Sequence, residues 1–181
     1  LRFSPNNSKD MTNDDKRMDT GNIFSFNRLG INDAVEGGSS LTYGSEFSKT
    51  DRSNKEIFSA KIANNLRFEK DDDLPNSNAL GEKTSDILGN LNYIPNDVFK
   101  INYDFAVKNN LSDKNYELLS ADLKINNFIT TFEYFNENNA GGKESYLDNK
   151  STYTMNDASS ISFETRENKK TKATEFHNLI Y

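Results

Sequence analysis

Residues 99–107 read Phe, Lys, Ile, Asn, Tyr, Asp, Phe, Ala, Val. An extended backbone sends successive side chains to opposite faces, whereas a helix repeats every 3.6 residues. Phe99, Ile101, Tyr103, Phe105 and Val107 therefore fall on one face, and Lys100, Asn102 and Asp104 on the other. Wound as a helix, the same run would mix Lys100 and Asp104 with apolar neighbours and form no coherent stripe. The alternation requires a sheet with one apolar and one polar side.

The pattern recurs along most of the chain. Leu41, Tyr43 and Phe47 alternate with Thr42, Gly44, Glu46 and Ser48. Phe58, Ala60, Ile62, Leu66 and Phe68 alternate with Ser59, Lys61, Asn65 and Arg67. Ile87, Gly89, Leu91 and Tyr93 form another apolar row, and Leu119, Ala121, Leu123 and Ile125 alternate with Ser120, Asp122 and Lys124. Phe128, Phe132 and Tyr134 alternate with Thr131 and Glu133, and Ile161 and Phe163 with Glu164 and Arg166. Around Tyr146–Met155 and Ala173–Tyr181 the faces are ambiguous.

Turn-forming residues set the connections. Pro95-Asn96, Asn126-Asn127 and Asn156-Asp157-Ala158 read as tight turns about 31 residues apart. Looser polar loops are expected between them, at 69–83, 108–114, 136–142 and 167–170. Strands of about 10–12 residues exceed the roughly 5–6 of soluble proteins. At ~3.3 Å per residue and a tilt near 40°, eleven residues rise roughly 28 Å, matching the roughly 25 Å apolar band of an outer-membrane barrel. Short turns at one end and longer loops at the other agree with that architecture.

The expected fold is therefore all-β: an antiparallel up-and-down transmembrane β-barrel segment, an open curved sheet of nine or ten long strands. One partial barrel domain spans 1–181, with a loop-rich start over 1–37 and a regular meander over 38–181. Phe99, Ile101, Tyr103, Phe105, Val107, Leu119, Leu123 and Ile125 are expected to meet lipid. Lys100, Asn102, Asp104, Asp122, Lys124, Glu133, Glu164 and Arg166 are expected to line a polar lumen. Tyr93 and Phe99 are placed for an interfacial aromatic girdle or for ordinary cross-strand packing. No signal peptide is visible, and both ends read as cuts through a larger protein.

Composition narrows the function classes. The 181 residues include 13 Phe and 8 Tyr, too aromatic for a disordered chain of this polarity. There is no Cys, so neither a disulfide nor a thiolate metal site can form, and a single His, His177, excludes a multi-His centre within the chain. With 22 basic and 28 acidic residues the net charge is -6, which argues against a nucleic-acid partner. His177 has no nucleophile partner to form a catalytic group, so no enzyme is expected. Asp71-Asp72-Asp73 lacks the glycine and glutamate register of a calcium loop and reads as a solvated loop. No cofactor fingerprint appears. Lys169, Lys170 and Lys172 form a small basic cluster suited to lipid phosphates or to solubility.

Residues 22–38 break the alternation. A short strand, Ile23–Phe26, is expected to run into Asn27-Arg28. A loop with Gly30, Asp33, Glu36, Gly37 and Gly38 follows. Arg28, Asp33 and Glu36 lie close enough in sequence to pair, which suggests an ordered loop folded back over or into a lumen; a solvated loop with turn glycines is the alternative. The runs LRFSPNN, NIFSFNR and DAVEGGSSLTYG resemble the barrel domain of the lipopolysaccharide-assembly outer-membrane protein family LptD (OstA/Imp). Asn27, Arg28, Asp33, Glu36, Gly37, Gly38, Tyr43 and Gly44 carry the match. Ala34 stands where relatives usually have Arg, and Gly30 comes one place early. The resemblance is specific over about residues 1–48 and is joined by the EFHNLIY ending.

The resemblance implies export of lipopolysaccharide to the outer leaflet in the outer membrane of a Gram-negative bacterium. It implies an LptE-like lipoprotein plug inside the barrel, and a periplasmic Lpt bridge that delivers the lipid through a jellyroll domain outside this chain. It further implies that this segment supplies barrel wall, lumen lining and extracellular loops, with outer-membrane lipid as its surroundings. Without the resemblance, the alternation also fits a porin or autotransporter barrel segment, or a soluble β-rich adhesin or carbohydrate-binding module. A porin constriction concentrates one sign of charge, whereas Lys100, Asp104, Asp122, Lys124, Glu133, Glu164 and Arg166 mix both.

Overall fold

The computed structural model describes residues 1–14, 16–30, 35–75, 77–139 and 142–181. Its strands are β1 (Arg2–Ser4), β2 (Gly38–Thr50), β3 (Glu56–Arg67), β4 (Ile87–Tyr93), β5 (Phe99–Val107), β6 (Lys114–Ile125), β7 (Phe128–Asn139), β8 (Gly142–Asn156), β9 (Ser159–Asn168) and β10 (Ala173–Ile180). All ten form one sheet in sequence order, each strand antiparallel to the next, with β1 and β10 at its edges. The only helical turn among the described residues is a 3-10 turn, Ser77–Ala79. The chain is an all-β, open up-and-down meander, as expected for a barrel segment.

Register carries the two-faced pattern from strand to strand. Lys100 stands opposite Asp122, and Asp122 opposite Thr131. Glu133 faces Asp148, which faces Arg166. On the other side Phe99 faces Leu123, Tyr103 faces Leu119, and Leu119 faces Tyr134. Among the described residues no second sheet covers the apolar side, where Leu119, Ile125 and Phe132 are exposed.

Several local expectations are corrected. Ile23–Phe26 is a series of turns rather than a strand: Ile23 N–H bonds back to the Asp19 carbonyl (3.0 Å) and Ser25 N–H to that of Asn22 (2.8 Å). Ile23 is buried while Phe24 and Phe26 are exposed. The stretch expected as a loose loop at 136–142 is mostly strand. β7 runs to Asn139 and β8 starts at Gly142, so that connection is as short as the one at 126–127. Cross-strand pairing overrides the polar composition there. Strand lengths also spread more widely than 10–12, from three residues in β1 and seven in β4 to fifteen in β8.

The 68–86 connection is no loose loop either. Leu74, Pro75 and Leu80 are buried within it. They join Met11, Met18, Ile23 and Leu29 from the segment before β2, and together these pack on Ala63, Leu88 and Ala106. Ala63, Leu88 and Ala106 sit on the polar side of the sheet, at its end nearest the 68–86 connection. Two loops thus fold back across that end of the polar face and bury an apolar cluster against it. Each fully buried aliphatic side chain contributes roughly 1.5–3 kcal/mol, enough collectively to hold both loops down.

On the apolar side Gly89 pairs with Phe105, whose ring lies across it. A Cβ at position 89 would stand 2.0 Å from a ring carbon. Gly89→Ala is expected to push the Phe105 ring off its neighbours and cost about 1–3 kcal/mol. The loss should appear as a lowered unfolding midpoint in the full-length protein. Adding Phe105→Leu should recover most of it.

Candidate functional site

The polar end where the loops close is organised by one carboxylate. Glu36 lies two residues before the first residue of β2 and is almost completely buried. Three arginines from distant parts of the chain converge on it: Arg2 from β1, Arg28 from the turn before the loop, and Arg67 from the last position of β3. Arg28 Nε donates to Glu36 Oε2 at 2.7 Å, and a second guanidinium nitrogen of Arg28 bonds Oε1. Arg67 also bonds Oε1, while Arg2 bonds Oε2 and sends Nη2 to the Glu36 carbonyl at 2.9 Å.

The arginines are held in turn by the sheet. Arg28 Nη1 donates to Asn65 Oδ1 at 2.9 Å and to Thr42 Oγ1 at 3.3 Å. Thr42 and Asn65 are direct partners across β2 and β3, so the register itself builds this shelf. Arg67 Nη2 donates to the Gly37 carbonyl at 2.8 Å and to Asp71 Oδ2 at 3.1 Å. Asp71 therefore belongs to the hub, correcting its reading as part of a solvated loop; Ser8 also donates to it. A buried carboxylate with this many charge-assisted bonds is stable, whereas a lone buried charge is not.

The two glycines after Glu36 have separate reasons. A Cβ on Gly37 would lie 2.4 Å from the Asn6 carbonyl oxygen, because the 6–8 segment passes directly over it. Gly38 takes φ +72°, a left-handed backbone that favours glycine, and there the chain turns into β2. Further along, Tyr43 lies on the apolar side and its hydroxyl donates to Asn64 Oδ1 at 3.2 Å. Gly44 leaves room for β3, since a Cβ there would stand 2.5 Å from the Ile62 carbonyl oxygen. Asn27 Oδ1 accepts from Gly30 N–H at 3.2 Å and shapes the turn after Arg28.

A second anchor fixes the early segment farther across the sheet. Arg17 Nη2 donates to Glu137 at 2.6 Å, and its guanidinium lies 4.0 Å from the Tyr116 ring centroid. From Tyr116 a run of rings continues through Phe135 (5.7 Å) to Tyr146 (4.7 Å), and Arg166 covers Tyr146 at 4.1 Å. Arg166 also forms a two-pronged pair with Asp148, at 2.8 and 2.6 Å.

Of the residues singled out from sequence, Arg28, Glu36, Gly37 and Gly38 meet at the hub, and Asp33 lies outside the described residues. Lys100, Asn102, Asp104, Asp122, Lys124, Glu133, Glu164 and Arg166 occupy one side of the sheet by register. Phe99, Ile101, Tyr103, Phe105, Val107, Leu119, Leu123 and Ile125 occupy the other. Asn102 and Asp104 are bonded together and to Asn90, whose amide reaches them at 2.9 and 2.7 Å. Arg2, Arg67, Asp71 and Arg17 were not recognisable as site residues. Arg2 and Arg67 appear in sequence only as the polar members of alternating runs, and nothing local says that they share a carboxylate. Among the described residues no cluster of acidic or histidine side chains could hold a metal ion.

Burial alone would raise the Glu36 carboxyl, but the Arg28 hydrogen bonds and the charges of Arg28, Arg2 and Arg67 outweigh it and hold the group below its ordinary range. A carboxylate depressed in the folded state stabilises fully above its unfolded value, about 4.3, and that contribution is lost as pH falls through the lower folded value. The hub should therefore stay closed at about pH 5 and open only below the ordinary carboxylate range. Glu36→Gln should open it at neutral pH, because guanidinium groups are left buried without their counter-charge at a cost of about 3–5 kcal/mol. Limited proteolysis within residues 5–37 of the folded full-length protein reads both outcomes.

The geometry can be set beside known proteins. No curated protein matches the chain. The family model described as "LptD: LPS transport system D" matches residues 4–168, which takes in Arg28, Glu36, Arg67 and Asp71 of the hub and the meander from β2 through β9. That match covers most of the 181 residues, and the chain belongs to the LptD family, outer-membrane proteins of lipopolysaccharide transport.

Proposed function

We propose that this chain is a stretch of barrel wall in the outer-membrane translocon that inserts lipopolysaccharide into the outer leaflet. Residues 1–181 would form part of one barrel domain, with a loop-rich start over 1–37 and a regular meander over 38–181. The apolar side, with Phe99, Ile101, Tyr103, Phe105, Val107, Leu119, Leu123 and Ile125, meets lipid. The polar side, with Lys100, Asn102, Asp104, Asp122, Lys124, Glu133, Glu164 and Arg166, lines the lumen. The end closed by Glu36 and its arginines faces the cell exterior, and the turns at 94–98, 126–127 and 157–158 face the periplasm.

One observation carries this reading. A single sheet keeps an exposed apolar face and a polar face in register over β2 to β10, and the apolar cluster of the two long connections packs on the polar side. In water, exposed apolar area on this scale is unfavourable, whereas lipid matches it. A wide polar interior of mixed charge suits the sugar portion of lipopolysaccharide and a lipoprotein plug of the LptE kind. The periplasmic Lpt bridge would reach it through a jellyroll domain elsewhere in the protein.

An arginine scan tests the orientation. Arginine at Ile101, Tyr103 or Leu119 should cost about 2–4 kcal/mol near the bilayer midplane and less toward the rims. Arginine at Asn102 or Ser120, on the opposite side, should cost far less. Folding of the full-length protein into bilayers of defined composition measures both sets. Equal tolerance on the two sides would overturn the lipid assignment, as would recovery of the full-length protein from cells without detergent.

A further inference from the structure

Phe3, Ser39 and Phe68 form a row across the end of the sheet nearest the hub. Phe3 stands opposite Ser39 in the β1–β2 pairing. Phe68, one residue past β3, donates its N–H to the Ser39 carbonyl at 3.1 Å. Residues directly opposite one another share a face, so both rings lie on the apolar side with Ser39 between them. Two strand spacings, roughly 9.6 Å, separate their backbones. Phe3 is 72% exposed and Phe68 55%, so neither ring fills the gap over the small Ser39 side chain. The next residues along that side, Leu41 and Leu66, face one another and are also exposed.

A cavity of about 520 Å³ opens on this row, and Phe3, Ser39 and Phe68 line it. Small-molecule sites typically measure roughly 300–1,000 Å³. The polar part of its wall carries the amides of Asn6 and Asn7 and the carboxylates of Glu69 and Asp73. None of these four side chains has a hydrogen bond or ion pair among the described residues. The cations on the wall are engaged elsewhere. Arg67 holds Glu36 and Asp71, and Lys70 pairs with Asp72 at 2.9 Å and Glu82 at 3.1 Å. The free groups are therefore neutral or negative. They disfavour an anion and suit a ligand rich in hydroxyl groups, which donate to carboxylates and both donate to and accept from amides.

We infer that this cavity binds the pyranose sugar of a membrane glycolipid. The faces of a pyranose are made of C–H bonds, and its rim carries hydroxyls. The gap over Ser39 leaves room for one such ring in van der Waals contact, about 3.5–4.0 Å, with Phe3 on one side and Phe68 on the other. The hydroxyl rim meets Asn6, Asn7, Glu69 and Asp73, and bonds to the two carboxylates are the stronger ones. The acyl chains attached to the sugar continue along Leu41 and Leu66. Aromatic rings, unengaged polar groups and an apolar strip thus follow one another in the order that an amphiphile presents its parts. This assignment deepens the barrel-wall reading and rests on it, because that reading sets this side in lipid and this end at the outer leaflet.

The test uses the full-length protein purified in a sugar-free detergent and titrated by native mass spectrometry. The probes are glucosyl diacylglycerol, diacylglycerol and phosphatidylglycerol with the same acyl chains, and maltotriose as a free saccharide. Glucosyl diacylglycerol should bind at least about fivefold more tightly than each of the other three. Glu69→Ala with Asp73→Ala should remove its advantage over diacylglycerol, and so should Phe3→Ala with Phe68→Ala. Phe132→Ala, on the same side but four strands away from β3, should keep it. Unchanged heat-dependent gel mobility shows that each variant is folded, and the carboxylate pair, exposed on a connection, serves if the phenylalanine pair does not fold. Equal binding of glucosyl diacylglycerol and diacylglycerol overturns the site. Phosphatidylglycerol or maltotriose binding as tightly as the glycolipid overturns it too, as does an undiminished sugar preference in the folded carboxylate variant. Failure of the barrel-wall reading is seen separately: the protein would then be soluble without detergent, whatever the titrations gave.

Discussion

The backbone ladder is the constraint on which everything else depends. Strands β3 to β9 each pair with two neighbours, and β2 pairs along its length with β3 and at Gly38–Ser40 with β1. A slip of one residue would carry Phe99, Ile101 and Tyr103 to the polar side and Lys100, Asn102 and Asp104 to the apolar one. Register and hydrophobic pattern therefore enforce one another. In a bilayer the coupling is stricter still, because an unpaired backbone group has no water to turn to.

On that scaffold the Glu36 hub does a different job. It joins β1, the turn at Arg28, the start of β2 and the end of β3 through one buried carboxylate. A buried ion cluster is weak evidence for stability, because desolvation offsets much of the attraction. Its strength lies in specifying geometry: three planar guanidinium groups can share one carboxylate in few ways. The apolar cluster of Met11, Met18, Leu74 and Leu80 supplies the burial that keeps the loops down, and the hub sets where they lie.

The paired groups on the polar face also tell against a simple channel. Arg166 with Asp148 and Tyr146, Arg17 with Glu137 and Tyr116, and the Asn90–Asn102–Asp104 cluster each bind their charges or amides locally. Such a surface is polar without carrying a strong uniform field, which suits passage or docking of large neutral and mixed-charge groups.

The chain's own residues determined most of the strand positions and the sidedness of sixteen residues from Phe99 to Arg166, and placed Arg28 and Glu36 close enough in sequence to pair, because period-two alternation and turn residues are local properties. Only the folded chain decided that Arg2, Arg67 and Asp71 join that pair, that Arg17 crosses to Tyr116 and Glu137, and that Ile23 is buried in a turn instead of extended in a strand. Those contacts span up to 120 residues. An arginine on a strand reads the same whether it meets solvent or a distant carboxylate. Which one it meets is set by how two loops close over a sheet, and no short stretch of sequence records that closure.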